Sequence, residues 1–447
     1  MKATLIFPGI TIPGFNSFRR VRLFEANYIN HGLASISAYA KKKGHQIDLI
    51  DLRTLKNWAD FGEQIKKRNP PIVGITFMSV DFDPAMKCIQ IINDVSPKTL
   101  IVVGGVHSTV MVKDIESNPQ IDFIITGEGE ISFSALLESL ENNITASRII
   151  KGETPDLSTL PWVDRDLFDY TGELNLPWMN MPTPFITINA GRGCPYRCTF
   201  FPPAERMVFG NRTRMRPVDD VTNELSYLHQ RYQFKSLMIH DDLFTYNPKW
   251  VFEFCDSYQK KGFTQNIVAQ ARVDNICKNP DMIKRLSECG LKCLLIGFES
   301  GSQRILDLLK KGTTIEQNLK AADICHRFSI KIFANYMLGI PTETKEEVMQ
   351  TINMIKVIKP DHHSPSFFTP YPGSELYDYI LQNNLSLIKS HNSYRRNPDE
   401  PKIKGVDYQF INKMLNTSYP PRRIPLARKI ASKLKHFLLR LLKIKSV

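Results

Sequence analysis

The sequence predicts an α/β protein: a doubly wound, Rossmann-like (flavodoxin-like) domain, then a partial (β/α)6 TIM-type barrel and a basic amphipathic C-terminal helix. Three observations carry this reading. Short runs rich in Ile, Val and Leu alternate with segments of helical period from the start of the chain, the pattern of a parallel sheet covered by helices. Over residues 146–183 the alternation is broken by Pro155, Pro161, Pro177 and Pro182, and it then resumes for six further units. The last residues lose their acidic groups and keep an apolar stripe at helical spacing.

Taken in order, strands are expected at residues 3–7, 46–51, 72–77, 99–104 and 122–126, with helices at 33–43, 61–67, 84–94 and 132–141. Five strands of this kind make a doubly wound domain, assigned to residues 1–145, with a linker over 146–183. Ligands of such sheets sit beyond the carboxyl ends of the strands. Here those ends are Pro8-Gly9, Met78-Ser79, Gly104-Gly105-Val106-His107 and Gly127-Glu128-Gly129-Glu130. Barrel strands are expected at 185–189, 236–240, 267–271, 293–297, 331–338 and 363–368. Helices are expected at 218–232, 248–261, 280–289, 303–309, 315–328 and 345–358, which places the barrel at 184–385. Residues 386–447 form a C-terminal extension.

The formal charge of +13 is localised: residues 409–447 hold ten Lys or Arg and no acidic residue, leaving about +3 on the other 408. Within that tail Leu426, Ile430, Leu434, Phe437, Leu438, Leu441 and Leu442 share one helical face, and Arg428, Lys429, Lys435, Arg440 and Lys443 fall mostly elsewhere. Such a helix fits an anionic membrane surface or docks on its own domain. Nucleic acid is disfavoured, because no aromatic interleaving or binding module accompanies the cations. Eight scattered cysteines without framework spacing, no apolar span of membrane length and no secretory leader pattern predict a cytoplasmic protein, with peripheral contact at the inner membrane face through the tail.

Residues 191–201 read Gly-Arg-Gly-Cys-Pro-Tyr-Arg-Cys-Thr-Phe-Phe. A Cys-x3-Cys-x2-Cys loop holds three irons of a 4Fe–4S cluster by thiolate and leaves the fourth open. Cys194 and Cys198 supply two of these positions, and Phe201 occupies the third with no donor atom. Other strand ends of the second block carry Asp241 and Asp242, Arg272 and Asp274, Glu299 and Ser300, and Gly339 to Glu343. Taken singly, Arg272, Glu299 and Glu343 fit a structural ion pair at the barrel rim as well as a site, and the Asp pair fits a cap or turn. As an ordered set they favour a site.

The order of Asp-Asp-Leu-Phe, Ala-Arg-Val-Asp, Gly-Phe-Glu-Ser-Gly-Ser and Leu-Gly-Ile-Pro-Thr-Glu-Thr behind the paired cysteines resembles the radical S-adenosylmethionine (SAM) family. The first third, with Gly-Gly-Val-His and Gly-Glu-Gly-Glu, resembles the cobalamin-binding domain that precedes many members. The resemblance implies Cys194 and Cys198 on a 4Fe–4S cluster, Phe200 on the adenine of SAM, and Arg272, Glu299, Gly339 and Glu343 around its ribose and methionyl groups. It implies Ser79, Gly104, Gly105, His107, Gly127 and Glu128 around cobalamin. An Asp-x-His-x-x-Gly signature is missing, since Ile29 stands two residues before His31, so cobalamin is expected to bind without a protein histidine ligand. Implied activities are 5′-deoxyadenosyl radical chemistry leading to methyl transfer, rearrangement or ring formation on a small-molecule or lipid-like substrate, with a reductant protein as partner. The alternative is a noncatalytic cobalamin- or SAM-binding protein.

Overall fold

A computed structural model describes residues 1–11, 14–15, 29–168, 174, 179–200, 204–395 and 400–419. Phe201, part of the linker and the amphipathic tail at 422–447 lie outside the described residues. By compactness the chain divides into Met1–Val406, which holds both large sheets, and Asp407–Val447, in which Tyr408–Ser418 is helical. No helix among the described residues is long and apolar enough to cross a membrane.

The first sheet contains β1 (Lys2–Phe7), β2 (Gln46–Asp51), β3 (Ile72–Thr76), β4 (Leu100–Gly104), β5 (Phe123–Thr126) and β6 (Ile149–Lys151), all parallel in the order 2-1-3-4-5-6. Strands buried on both faces read as continuous apolar runs, which is why β3 and β4 were legible. β6 was not: it falls inside the expected linker, making six strands in place of the five expected. It has only three residues, and its exposed Ile149 and Lys151 flank a half-buried Ile150, so no burial pattern marks it. Backbone pairing of Ile124 with Ile149 and Thr126 with Lys151 holds it at the sheet edge.

Helix α1 (His31–Lys42) starts at Asn30, whose side chain accepts the Leu33 N–H, and α5 (Glu130–Glu141) packs beside it on one face of the sheet. The opposite face carries α2 (Trp58–Arg68) and α3 (Phe82–Val95) over a core of Ile6, Ile50, Phe61, Val73, Ile89 and Ile101. Between β4 and β5, α4 (Val106–Val110) occupies the segment expected as a glycine turn. Gly105 has φ of 95°, and a Cβ there would stand 2.4 Å from Oγ1 of Thr76, so this turn admits no larger residue without displacement.

The second sheet runs β7 (Phe185–Ile188), β10 (Ser236–Ile239), β11 (Asn266–Ala271), β12 (Leu291–Glu299), β13 (Lys331–Leu338) and β14 (His362–Phe367), each parallel to the next. Sequential neighbours with a helix between them are the partial barrel the periodicity predicts. Two helices, beginning at Ile315 and Lys345, start with capping boxes from Thr314 with Gln317 and Thr344 with Glu347. β8 (Gly191–Arg192) and β9 (Arg214–Met215) form an antiparallel pair that brackets the cysteine loop.

Candidate functional site

The carboxyl ends of β1, β3, β4 and β5 and those of β7 and β10 line one cavity of about 400 Å³. Phe7, Met78, Gly104 and Gly127 contribute from the first sheet, Asn189 and Asp241 from the second. A loop arginine ties the two walls together. Arg192 donates from Nη1 to Oε1 of Glu128 and from Nη2 to Oε1 of Glu130, both at 2.7 Å, and Arg214 donates to Oε2 of Glu128 at 2.5 Å. Burial pushes the Glu130 carboxyl up, but Arg192 outweighs it and the group titrates below its usual range. At Glu128 burial wins, and the carboxyl sits above its usual range even between two guanidinium groups. Deeper in, Arg165 and Arg216 both donate to the buried carboxylate of Glu224.

Several polar atoms of this wall are buried with no hydrogen-bond partner among the described residues: Nδ1 of His31, Oδ1 of Asn189 and Oδ2 of Asp241. His31 is held from its other nitrogen, 2.9 Å from Oγ1 of Thr187, and its pKa is lowered by burial and then by Arg165. Asp241 accepts the Ala190 N–H at 2.7 Å through Oδ1, and burial raises its carboxyl to about 7. Residues that line this cavity thus include three with a buried, unpartnered polar atom and a set of glycines from the first sheet's strand ends.

The cysteine loop lies at the mouth of the barrel. Thr199 pins it, donating N–H to the Leu309 carbonyl and accepting the Leu376 N–H on its own carbonyl, each at 3.0 Å. Arg272, at the end of β11, stacks 3.5 Å from the Tyr196 ring centroid, donates to the Lys311 carbonyl at 2.5 Å, and directs Nη1 to Sγ of Cys198 at 3.7 Å. Asp274 holds Nε of Arg272 at 3.0 Å and the Tyr196 hydroxyl at 2.9 Å. At the end of β12, Glu299 takes a left-handed φ of 62° and pairs with the buried ammonium of Lys311 at 2.7 Å, beside Phe200. Burial pushes the Cys194 thiol up to about 11. Two thiols, an arginine and an acid–lysine pair around one mouth fit a zwitterionic ligand such as SAM. The donor set for a 4Fe–4S cluster is incomplete by one thiolate, because position 201 is Phe.

The structure thus separates the residues expected around cobalamin. Gly104, Gly105, Gly127 and Glu128 line the cavity. Ser79 and His107 do not: they bond to each other, Nδ1 to Oγ at 3.0 Å, and His107 is fully buried. Around the barrel mouth Cys198, Phe200, Arg272 and Glu299 fall together. Glu343 turns back on its own loop, Oε2 accepting the N–H groups of Gly339 and Ile340 at 2.6 and 3.2 Å, and burial raises its carboxyl to about 7. Arg192, Arg214, His31 and His240 of the shared region went unassigned in the sequence. The one signal that pointed to Arg192 was its place between two glycines beside Cys194.

Residues 21–137 match the B12 binding domain family and residues 188–355 match the Radical SAM superfamily. An uncharacterized methyltransferase of Pyrococcus horikoshii, PH0819, is 30% identical over 406 residues, covering 87% of this chain and 86% of the relative. An anaerobic magnesium-protoporphyrin IX monomethyl ester cyclase of Cereibacter sphaeroides is 27% identical over 80% of this chain, which spans 63% of the cyclase. Among solved structures, the cobalamin-dependent SAM radical enzyme OxsB, seen with aqua-cobalamin and SAM, superposes with a TM-score of 0.72 at 15% identity, over 92% of this chain and 65% of OxsB. The radical SAM methyltransferase TsrM of Kitasatospora setae, seen with tryptophan substrate and a SAM analogue, gives 0.67 at 15% identity, over 85% of this chain and 76% of TsrM. A two-sheet α/β protein with a shared ligand cavity is therefore the class. The chain belongs to the cobalamin-dependent, methyltransferase-like radical SAM family, whose members pair a B12-binding domain with a radical SAM domain.

Proposed function

We propose that this chain holds cobalamin in the cavity between its two sheets and SAM at the barrel mouth, and serves methyl transfer to a small molecule. The observation that carries the reading is the shared cavity itself, walled by the carboxyl ends of both sheets and lined by glycine backbone and orphaned polar atoms. Cobalamin when bound supplies a cobalt that carries a methyl group, and SAM supplies the methyl. The chain's own residues do the positioning. Gly104, Gly105 and Gly127 let backbone approach the ligand. Arg192 and Arg214 hold Glu128 in the cavity wall, and Arg272, set by Asp274 and Tyr196, offers its charge beside Cys198 to a carboxylate. Lys311, whose carbonyl accepts from Arg272, and Glu299 continue the same rim.

Position 201 favours a second reading, a noncatalytic corrinoid- or SAM-binding protein, because two thiolates leave a cluster short of a ligand. One experiment separates the two. The chain and its Phe201→Cys variant are reconstituted anaerobically with iron and sulfide, and iron content, the reduced electron paramagnetic resonance signal and hydroxocobalamin binding are compared with and without SAM. A SAM-responsive cluster in the unaltered chain supports the enzyme. A cluster in the variant alone, with equal corrinoid binding in both, supports the binding protein. Absence of corrinoid binding from both overturns the assignment of the cavity.

A further inference from the structure

His107 and His391 lie far apart in sequence and are brought together outside the cavity. His107 stands on α4, its side chain 0% exposed. Asp114 ends the short turn Val112–Asp114, and His391 opens the turn His391–Tyr394 that follows the barrel. Nε2 of His107 is 3.6 Å from Oδ2 of Asp114, and Nε2 of His391 is 3.9 Å from the same oxygen. One ligand atom from each of the three residues lies within 4.8 Å of the others. Donors about 2.0–2.1 Å from a tetrahedral ion stand roughly 3.3 Å apart, so side-chain rotations that draw the three in from separations of 3.6 Å, 3.9 Å and at most 4.8 Å let them share one.

The remaining nitrogens face polar groups of the first sheet's helices and turns. Nδ1 of His107 lies 3.0 Å from the Ser79 hydroxyl, and Nδ1 of His391 lies 3.7 Å from Oδ1 of Asp83. For His107, the tautomer with its proton on Nδ1 donates to the Ser79 hydroxyl and turns the Nε2 lone pair toward Asp114, as an outer hydroxyl does for a metal-bound histidine. Nε2 of His107 is buried with no hydrogen-bond partner among the described residues. An orphaned imidazole nitrogen aimed at a carboxylate and a second imidazole calls for an occupant. Phe82 stacks on His391 at 3.9 Å and meets His107 at 4.9 Å, fixing both rings. Asp114 and His391 remain 32% and 29% exposed, which leaves an entry path and an open coordination position.

We propose that His107, Asp114 and His391 bind a divalent zinc-type cation at a site separate from both the cavity and the cysteine loop. Two imidazoles and one carboxylate are a donor set for zinc with a fourth position left to water. The ion fastens the His391 turn to the first sheet.

The test uses the full chain carrying Cys194→Ala and Cys198→Ala, so that loop thiolates hold no metal, and measures zinc uptake by equilibrium dialysis. Cobalt(II) serves as a spectroscopic probe of the coordination. One equivalent of zinc per chain is expected, weakened about 100-fold by His391→Gln and by Asp114→Asn. These two variants alter half-exposed turns, so folding is retained where His107→Ala endangers it. Zinc is also expected to raise the melting temperature of the parent and not of His391→Gln. A chain without the two loop cysteines that takes up no zinc, or uptake indifferent to both substitutions, overturns the proposal.

Discussion

The two sheets present the same surface to the shared cavity, the carboxyl ends of parallel strands, and treat their acidic groups in opposite ways. On the first-sheet side Glu128 and Glu130 are each gripped by guanidinium groups from the cysteine loop and its hairpin. On the barrel side Asp241 is held by the Ala190 N–H and keeps one oxygen without a partner among the described residues. The first arrangement spends its charges on joining the sheets. The second leaves a buried acidic oxygen without an arginine beside the cavity wall. Position of a carboxylate at a strand end therefore does not by itself mark it as a ligand contact: its partners decide.

The contrast can be broken at its strongest point. Glu128→Ala leaves Arg214 without its carboxylate and Arg192 with that of Glu130 alone, and breaking such a buried pair costs about 3–5 kcal/mol. The urea midpoint should fall accordingly; a loss under about 1 kcal/mol would mean that the sheets are joined without this clamp.

Asp241→Asn tests the other side. With its carboxyl raised from 3.8 to about 7, folded protein binds this proton more tightly than unfolded protein. The stabilisation is complete below pH about 4 and is lost as pH rises through 7. The substitution should remove that loss, so that between pH 5 and 8 the variant gains on the parent by on the order of 2 kcal/mol in urea unfolding. Parallel pH profiles for the two proteins would show that Asp241 has acquired a partner. Glu343, also raised to about 7, adds a similar slope to both and leaves the difference intact.

The smallest effect calibrates the first. Arg231 pairs with Asp166 at 2.5 Å, a geometry as close as the clamp's, but the side chains are 38% and 66% exposed. Arg231→Ala should shift stability by no more than about 0.5 kcal/mol. A larger loss in thermal or urea unfolding would show that distance alone, without burial, predicts the worth of an ion pair here.

Legibility followed burial and locality. Strands such as β3, β4 and β13 announced themselves through apolar runs, and the motif order at barrel strand ends named Cys198, Arg272 and Glu299, which do gather at one mouth. β6 escaped because an exposed three-residue edge strand is defined by its pairing alone. His107 stood in a segment expected to face the ligand, yet α4 starts at Val106 and turns the ring inward to Ser79. Arg192 was one arginine among many until the fold set it against two carboxylates more than sixty residues away.

The amino-acid sequence alone determined the two α/β blocks, the carboxyl-end location of the site, the cysteine pair with Phe201 in the third place, and the charge of the tail. These properties are local: period, spacing and composition survive in a linear string. Tertiary structure decided which strand ends share a cavity, which buried carboxylates meet an arginine and which do not, and that His107 meets His391 across nearly three hundred residues. Those outcomes depend on burial and on distances between elements, and neither exists until the chain has folded.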